Sequence, residues 1–273
     1  MKFEIRNLKM GYNSNFLKTP VLTPKLNNPE DAYQLCSSET IDYTHFSLTL
    51  SLERKFAIWV AWNIDGSHLK RLPRKGIKFK EDPRIPSELQ AGKDLYKNNL
   101  LDRGHIARRI DLIWGNLEEA KKANNDSFFF TNIAPQMESF NQSGKGGVWG
   151  ELENSLFEQV EMDNLKVSVI AGCIFNHNDK IYRNYKIPVE FYKTIIYKVD
   201  GKLKSKSFIL SQNLDRLSVI DLDEFKTFEV TPTEIEAKCN FIFDVSIHNS
   251  NSFKAKILYK KRLPIMNVQE IDW

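Results

Sequence analysis

Seven consecutive apolar residues, Phe56 to Trp62, set the first limit on what this chain can fold into. They lie in the second of two β-rich stretches, HFSLTLSL and KFAIWVAWNI, which flank Glu53-Arg54 and close at Asp65-Gly66. Such a pair reads as a hairpin. The second stretch is apolar on both faces, the pattern of a strand covered above and below, so it belongs in the interior of a sheet. The same run is far shorter than the roughly 20 residues a bilayer span needs, and no membrane partner is expected.

Further along, Lys166-Val-Ser-Val-Ile-Ala-Gly reads as a buried strand, and Val189 to Val199 and Leu203 to Ser211 flank Asp200-Gly201, a type I′ hairpin signal. Thr231-Pro232-Thr233-Glu234 opens a short helix with Thr231 or Thr233 as its N-cap. Together these predict an α+β fold with a central, mainly antiparallel sheet and helices packed around it. Residues 1–40 are polar and interrupted by Pro20, Pro24 and Pro29; they read as an N-terminal arm or strap, with one short helix from Asn28-Pro29 to Tyr33. Residues 41–273 carry no repeat, low-complexity tract or Gly/Ser linker and read as a single domain.

One acid is out of place. At about 100° per residue, Trp149, Leu152, Leu156, Phe157 and Val160 share one helical stripe. Glu151 and Glu158 point away from it, but Glu153 stands in its middle. A carboxylate on a buried face costs several kcal/mol unless something charged or hydrogen-bonding meets it. Two readings follow: a buried salt bridge to an arginine, or an acid turned inward to serve a metal or phosphate site.

The net charge of +4 suits a polyanionic partner without requiring one. The positive charge is densest in Lys70, Arg71, Arg74, Lys75, Lys78 and Lys80, a loop that is either solvated surface or a rim that grips phosphate. Arg74 is its best single candidate, because a guanidinium offers two parallel donors. Cys36, Cys173 and Cys239 have no paired spacing, which argues against a thiolate zinc site and for free thiols. Ser143 lacks a Gly-x-Ser-x-Gly setting, so a serine hydrolase is poorly supported.

The stretch from Leu101 to Glu153 gathers the chemistry: Asp102-Arg103-Gly104-His105, then Thr131-Asn132-Ile133-Ala134-Pro135-Gln136, Phe140-Asn141-Gln142 and Trp149-x-x-Leu152-Glu153. In that order and near that spacing, these motifs resemble the DNA/RNA non-specific endonucleases, the ββα-metal or His-Me finger group that includes endonuclease G. Phe79-x-x-Asp82-Pro83, Gly172-Cys173-Ile174-Phe175 and Ile187-Pro188-Val189-Glu190-Phe191-Tyr192-Lys193 extend the resemblance over about residues 43–245. Ser143-Gly144-Lys145-Gly146-Gly147 departs from it as a longer connection.

The resemblance implies a β–β–α finger: strands around Leu101–His105 and Phe128–Ile133, and the Trp149–Val160 helix. It implies hydrolysis of DNA and RNA phosphodiesters to 5′-phosphate and 3′-hydroxyl ends, with Mg²⁺ as cofactor and Mn²⁺ able to substitute. By the same resemblance His105, an imidazole poised near pH 7, is the general base. Asn141 is the direct metal ligand and Glu153 holds the ion through water. Arg103 and Arg74 hold the phosphate, Asn132 fixes the site and Asp102 organises a turn. Lys145, in its glycine loop, is a further substrate contact. Arg108 and Arg109 fit equally well outside the site or within it. His45, His68, His177 and His248 read as surface or satisfied core residues, and Trp149 as core.

Two alternatives stand beside this reading: a catalytically silent nucleic-acid-binding or regulatory protein on the same fold, and a sequence-specific relative of the same finger. The start MKFEIRNLKMGYNSNF has no apolar segment of a secretory signal, so a cytoplasmic protein is expected if it is the true start, and a secreted or delivered one otherwise. An unrestrained nuclease in that compartment predicts an inhibitor or regulatory partner. Residues 1–40 are the expected place for regulation or for homodimer contacts.

Overall fold

The computed structural model describes residues 10–137, 148–162, 164–212, 214, 226–253 and 271. Asn141 and Lys145, Phe140, Gln142 and Ser143, and the side chain of Trp149 lie outside the described residues.

Seven strands make one antiparallel sheet in the order β12-β11-β10-β7-β4-β3-β2. They are β2 (Ile41–Tyr43), β3 (Phe46–Leu50), β4 (Ala57–Asp65), β7 (Lys166–Ile174), β10 (Glu190–Val199), β11 (Lys202–Ser211) and β12 (Lys226–Val230). The doubly apolar stretch is β4: every residue is buried, and it pairs with β3 on one side and β7 on the other. Asp200 and Gly201 both have positive φ, +49° and +75°, the backbone that a tight hairpin between β10 and β11 needs. Alternation along these strands supplies two cores. Val60, Trp62, Phe191 and Ile195 face one way, and Trp59, Ala61, Tyr192 and Ile196 the other.

On the second face pack Leu17, Val21 and Leu26, with helices α3 (Pro232–Cys239) and α4 (Val245–Ser250). β1 (Lys25–Leu26) pairs with β13 (Phe241–Ile242) there. Thr231 is the N-cap of α3, accepting from Glu234 N while the Glu234 carboxylate accepts from Thr231 N. The short helix expected through Tyr33 is a single turn, Pro29–Asp31. Asn28 makes no side-chain cap, and Ala32 turns extended to bridge Ser51.

The first face carries the finger. β5 (Leu101–His105) and β6 (Ile133–Met137) form their own two-stranded antiparallel sheet. After β5 come helix α1 (Leu117–Asp126), capped by an Asn116/Glu119 box, and after β6 helix α2 (Val148–Met162). The second finger strand begins at Ile133 rather than Phe128, because Phe130–Asn132 curls into a 3-10 turn. The cause is Asn132, whose side chain binds the backbone of Ala107 and Ser127 and so competes with an extended chain. Two short strands, β8 (Ile181–Tyr182) and β9 (Tyr185–Lys186), pair antiparallel with each other. Among the described residues no helix is long and apolar enough to cross a membrane.

Candidate active site

His105 ends β5 opposite Ile133. Its ring is half-buried, meets Phe128 edge-on at 5.1 Å and tilts against Phe79 at 5.5 Å. Phe79 also carries both cations: Arg74 lies over Phe79 and Phe128 at 6.0 and 5.8 Å, and Arg103 over Phe79 and Tyr96 at 5.4 and 5.3 Å. Thus His105, Arg103 and Arg74 are brought together around one aromatic wedge. The basic loop that holds Arg74 is pinned at both ends: Arg109 Nη1 donates to Leu72 O at 3.1 Å, and Lys80 and Phe128–Phe130 exchange backbone bonds of 3.1 and 2.9 Å.

His105 Nε2 is buried and has no hydrogen-bond partner among the described residues; the same holds for Arg103 Nε and Arg108 Nη1. Burial, then Arg74, Arg109 and Arg108, push the imidazole down to about 3. This corrects the expectation of a ring poised near pH 7: free of ligand, His105 is a neutral base throughout the physiological range. The local sequence could not report it, because the burial of the ring and the approach of Arg74 both arise only in the fold.

Asn132 is fully buried beneath this centre. Its Oδ1 accepts from Ala107 N at 2.9 Å, and its Nδ2 donates to Ala107 O and Ser127 O at 3.0 and 3.1 Å. It therefore fixes the chain two residues beyond His105. Asp102 stands in strand β5 opposite Gln136, not in a turn.

Glu153 is 8% exposed on the inner face of α2. Its Oε1 accepts from Lys193 Nζ at 2.7 Å and its Oε2 lies 3.4 Å from Arg108 Nε. The inward acid is thus met by an arginine, as one reading expected, and first by a lysine that sequence reasoning left without a role. Arg108 also donates to Asn154 and so spans the loop after His105 and α2, whereas Arg109 is committed to Leu72 and Asn124.

Sequence reasoning also missed three buried polar groups around the finger. Gln136 is fully buried on β6, and both ends of its carboxamide lack partners among the described residues. It lies against Gly104: a Cβ there would stand 1.9 Å from Gln136 Oε1. Gly104→Ala is therefore expected to displace Gln136 at a cost of about 1–3 kcal/mol. A lowered Tm together with reduced cleavage checks this, and an unchanged Tm refutes the packing argument. Gln212 ties β6 down, accepting from Met137 N at 2.8 Å and donating to Pro135 O and Pro188 O at 3.0 and 2.8 Å.

Asp111, the third, accepts from Trp62 Nε1 at 3.2 Å. Burial, with Glu153 adding to it and Arg108 opposing, lifts its carboxyl from 3.8 to about 7. The folded state therefore holds a proton that the unfolded chain has released between these values, so stability falls as pH rises across that window. Asp111→Asn removes this titration. It is expected to stabilise the protein at pH 8 by on the order of 3 kcal/mol and to match wild type near pH 4. Urea melts at the two pH values test it; an equal effect at both would contradict it.

Among the described residues no three His, Cys, Asp or Glu side chains group as a metal cage. The donor chemistry nevertheless fits a hydrated hard cation, which takes oxygen ligands and retains most of its waters. Glu153 offers a carboxylate and Gln136 an oxygen with no other use among the described residues.

A small antiparallel pair and a following helix, mounted on one face of a larger antiparallel sheet, define the ββα-metal fold class. The fold matches a solved structure of an EndoG/EndoGI complex with a TM-score of 0.59 at 21% identity, over 77% of this chain and 86% of that one. The family model for DNA/RNA non-specific endonucleases matches residues 28–249, and the chain belongs to that family. Among relatives, it is 33% identical to protein y4fB of Sinorhizobium fredii over 246 residues, 85% of this chain and 36% of that protein. It is 30% identical to the mitochondrial nuclease EXOG of Mus musculus over 122 residues, 44% of this chain and 31% of that protein. The chain thus spans about a third of the length of these two relatives.

Proposed function

We propose that this protein is a Mg²⁺-dependent nuclease that hydrolyses DNA and RNA phosphodiesters without sequence preference, leaving 5′-phosphate and 3′-hydroxyl ends. The observation that carries the reading is a neutral imidazole, with Nε2 unpartnered among the described residues, set beside Arg103 and Arg74. Arg74 and Arg103 bind the scissile phosphate, a contact that carries no base information. His105 Nε2 accepts the proton of the attacking water. The phosphate's negative charge offsets the guanidinium charges that depress the ring, so its basicity rises when substrate is in place. Asn132 keeps the His105 loop in register. Asn141 and Glu153 are the residues assigned to the ion, with Lys145 as a substrate contact. Bound there, Mg²⁺ supplies positive charge against the charge that gathers on the leaving 3′-oxygen.

A nicking assay on supercoiled plasmid with Mg²⁺ or EDTA, and a parallel digest of structured RNA, tests the reading. Cleavage in Mg²⁺ alone is expected, with His105→Ala inactive. One observation favours the silent binding module: Lys193 and Arg108 already satisfy Glu153, so the acid does not require an ion to be stable. Nucleic-acid binding without Mg²⁺-dependent cleavage would select that module. The structural neighbour was solved with its inhibitor, which supports an inhibitor partner here too. Expression of an active enzyme that leaves its host unharmed is the expected sign of one.

A further inference from the structure

Lys193 breaks the pattern of its strand. Along β10, Phe191 and Ile195 enter the core beneath the finger, and Tyr192 and Ile196 enter the opposite core. Lys193 shares the parity of Phe191 and Ile195, in mid-strand, paired with Ala171 on one side and Phe208 on the other. It is 1% exposed, with its ammonium 5.8 Å from the Trp62 ring and 2.7 Å from Glu153 Oε1. A buried ammonium is costly, and replacing a buried ion pair with apolar residues of similar volume is often neutral or stabilising. Stability alone therefore does not account for this lysine. Leu152, Leu156 and Val160 already seat α2 on the sheet through apolar contacts. What Lys193 adds is the direction of one carboxylate.

We propose that Lys193 is a positioning residue of the nuclease site: from the main sheet, opposite Arg108, it clamps Glu153 so that the carboxylate's remaining lone pairs are presented to the hydrated cation. A carboxylate has about four acceptor directions. Lys193 takes one at Oε1 and Arg108 approaches Oε2, which leaves at least one on each oxygen. Two cations from different elements fix both the rotamer and the plane of the acid, which either alone would leave free to turn. The inference rests on the nuclease reading and deepens it by naming what orients its acid.

The test compares wild type, Lys193→Met, Glu153→Gln and the double variant. Readouts are plasmid cleavage across a Mg²⁺ titration, Mn²⁺ binding to the substrate-free protein by electron paramagnetic resonance, and Tm. Lys193→Met is expected to lower kcat and weaken Mn²⁺ binding, each by about ten- to a hundredfold, as loss of a ligand's supporting partner does. KM for DNA should stay within about twofold, because the phosphate-binding arginines are untouched. The double variant should be no worse than Glu153→Gln, since the lysine then has nothing to orient. If Lys193→Met fails to fold because its glutamate is left unpaired, the double variant, which leaves neither charge buried alone, is compared with Glu153→Gln, whose amide oxygen can still accept from the lysine. Equality supports the proposal, and a further loss of about tenfold in the double variant overturns it. Lys193→Met with wild-type kcat and Mn²⁺ affinity also overturns it while leaving the nuclease reading intact. A wild-type protein that cleaves nothing in Mg²⁺ removes that reading and this inference with it.

Discussion

His105→Ala is expected to lower Mg²⁺-dependent cleavage by about 10²–10⁴-fold, the usual worth of a positioned general base, while leaving the fold intact. The two outcomes separate because of what the ring touches. Its Nε2 has no partner among the described residues, so truncation strands no buried polar group there. The loss is that of the contacts with Phe128 and Phe79, worth about 0.5–1.5 kcal/mol for each aromatic pair beyond the apolar area it buries. Steady-state cleavage and a thermal melt on one preparation check both parts; inactivity accompanied by unfolding would leave the base unsupported.

The titration of His105 gives a second readout that needs no substrate. The ring's folded value of about 3 lies below its ordinary 6.5, so between these limits the unfolded chain binds the proton and stability falls as pH falls. Asp111 acts with the opposite sign between 3.8 and about 7. The difference in stability between wild type and His105→Ala should therefore narrow, and then favour the variant, on acidification from pH 7 to 4. A difference that does not change with pH would mean that the ring titrates normally. For kcat/KM, which reports the free enzyme, no acid limb near 6.5 is expected from His105.

Asn132→Ala should carry a large stability cost. It deletes three buried hydrogen bonds and leaves the Ala107 N–H, the Ala107 C=O and the Ser127 C=O with fewer partners. At about 1–3 kcal/mol for each stranded buried group, the sum is on the order of 4 kcal/mol. That corresponds to about 10 °C in Tm for a chain of this size. Asn132→Asp is expected to be no better, because a carboxylate would face two carbonyl oxygens that now receive N–H donors. Differential scanning calorimetry tests both, and a shift below about 2 °C for Asn132→Ala would refute the bracket role.

Local rules expose the scaffold well. Phe56–Trp62 requires a strand covered on both faces, Asp200-Gly201 supplies the backbone of a tight turn, and Glu153 betrays itself by sitting on an apolar stripe. The failures have one physical origin, contacts between segments distant in sequence. Phe128–Phe130 has strand propensity, yet Asn132 folds the chain into a 3-10 turn by reaching Ala107, 25 residues away. Lys193 lies 40 residues from Glu153, and only the packing of α2 on β10 makes them a pair. A lysine at the parity of Phe191 and Ile195 was the available signal; on a strand it reads more easily as an outward face. The basicity of His105 was hidden in the same way, since the ring is buried by Phe79 and Phe128, and Arg74 lies some thirty positions earlier.

The finger's two strands form a sheet of their own, distinct from the seven-stranded one. Polar side chains from the larger sheet or its immediate ends fasten the finger unit, among them Tyr43 to Thr131, Thr44 to Asp126, His45 to Leu112 and Glu119, Trp62 to Asp111, Lys193 to Glu153, and Gln212 to Met137 and Pro135. The unit is like an instrument head on a multi-point mount, aligned by its fasteners as well as by the plate. Transplanting the Leu101–Met162 cassette onto another antiparallel platform would therefore require re-creating those sockets, and a platform that offered only a matching apolar surface would carry the head out of true.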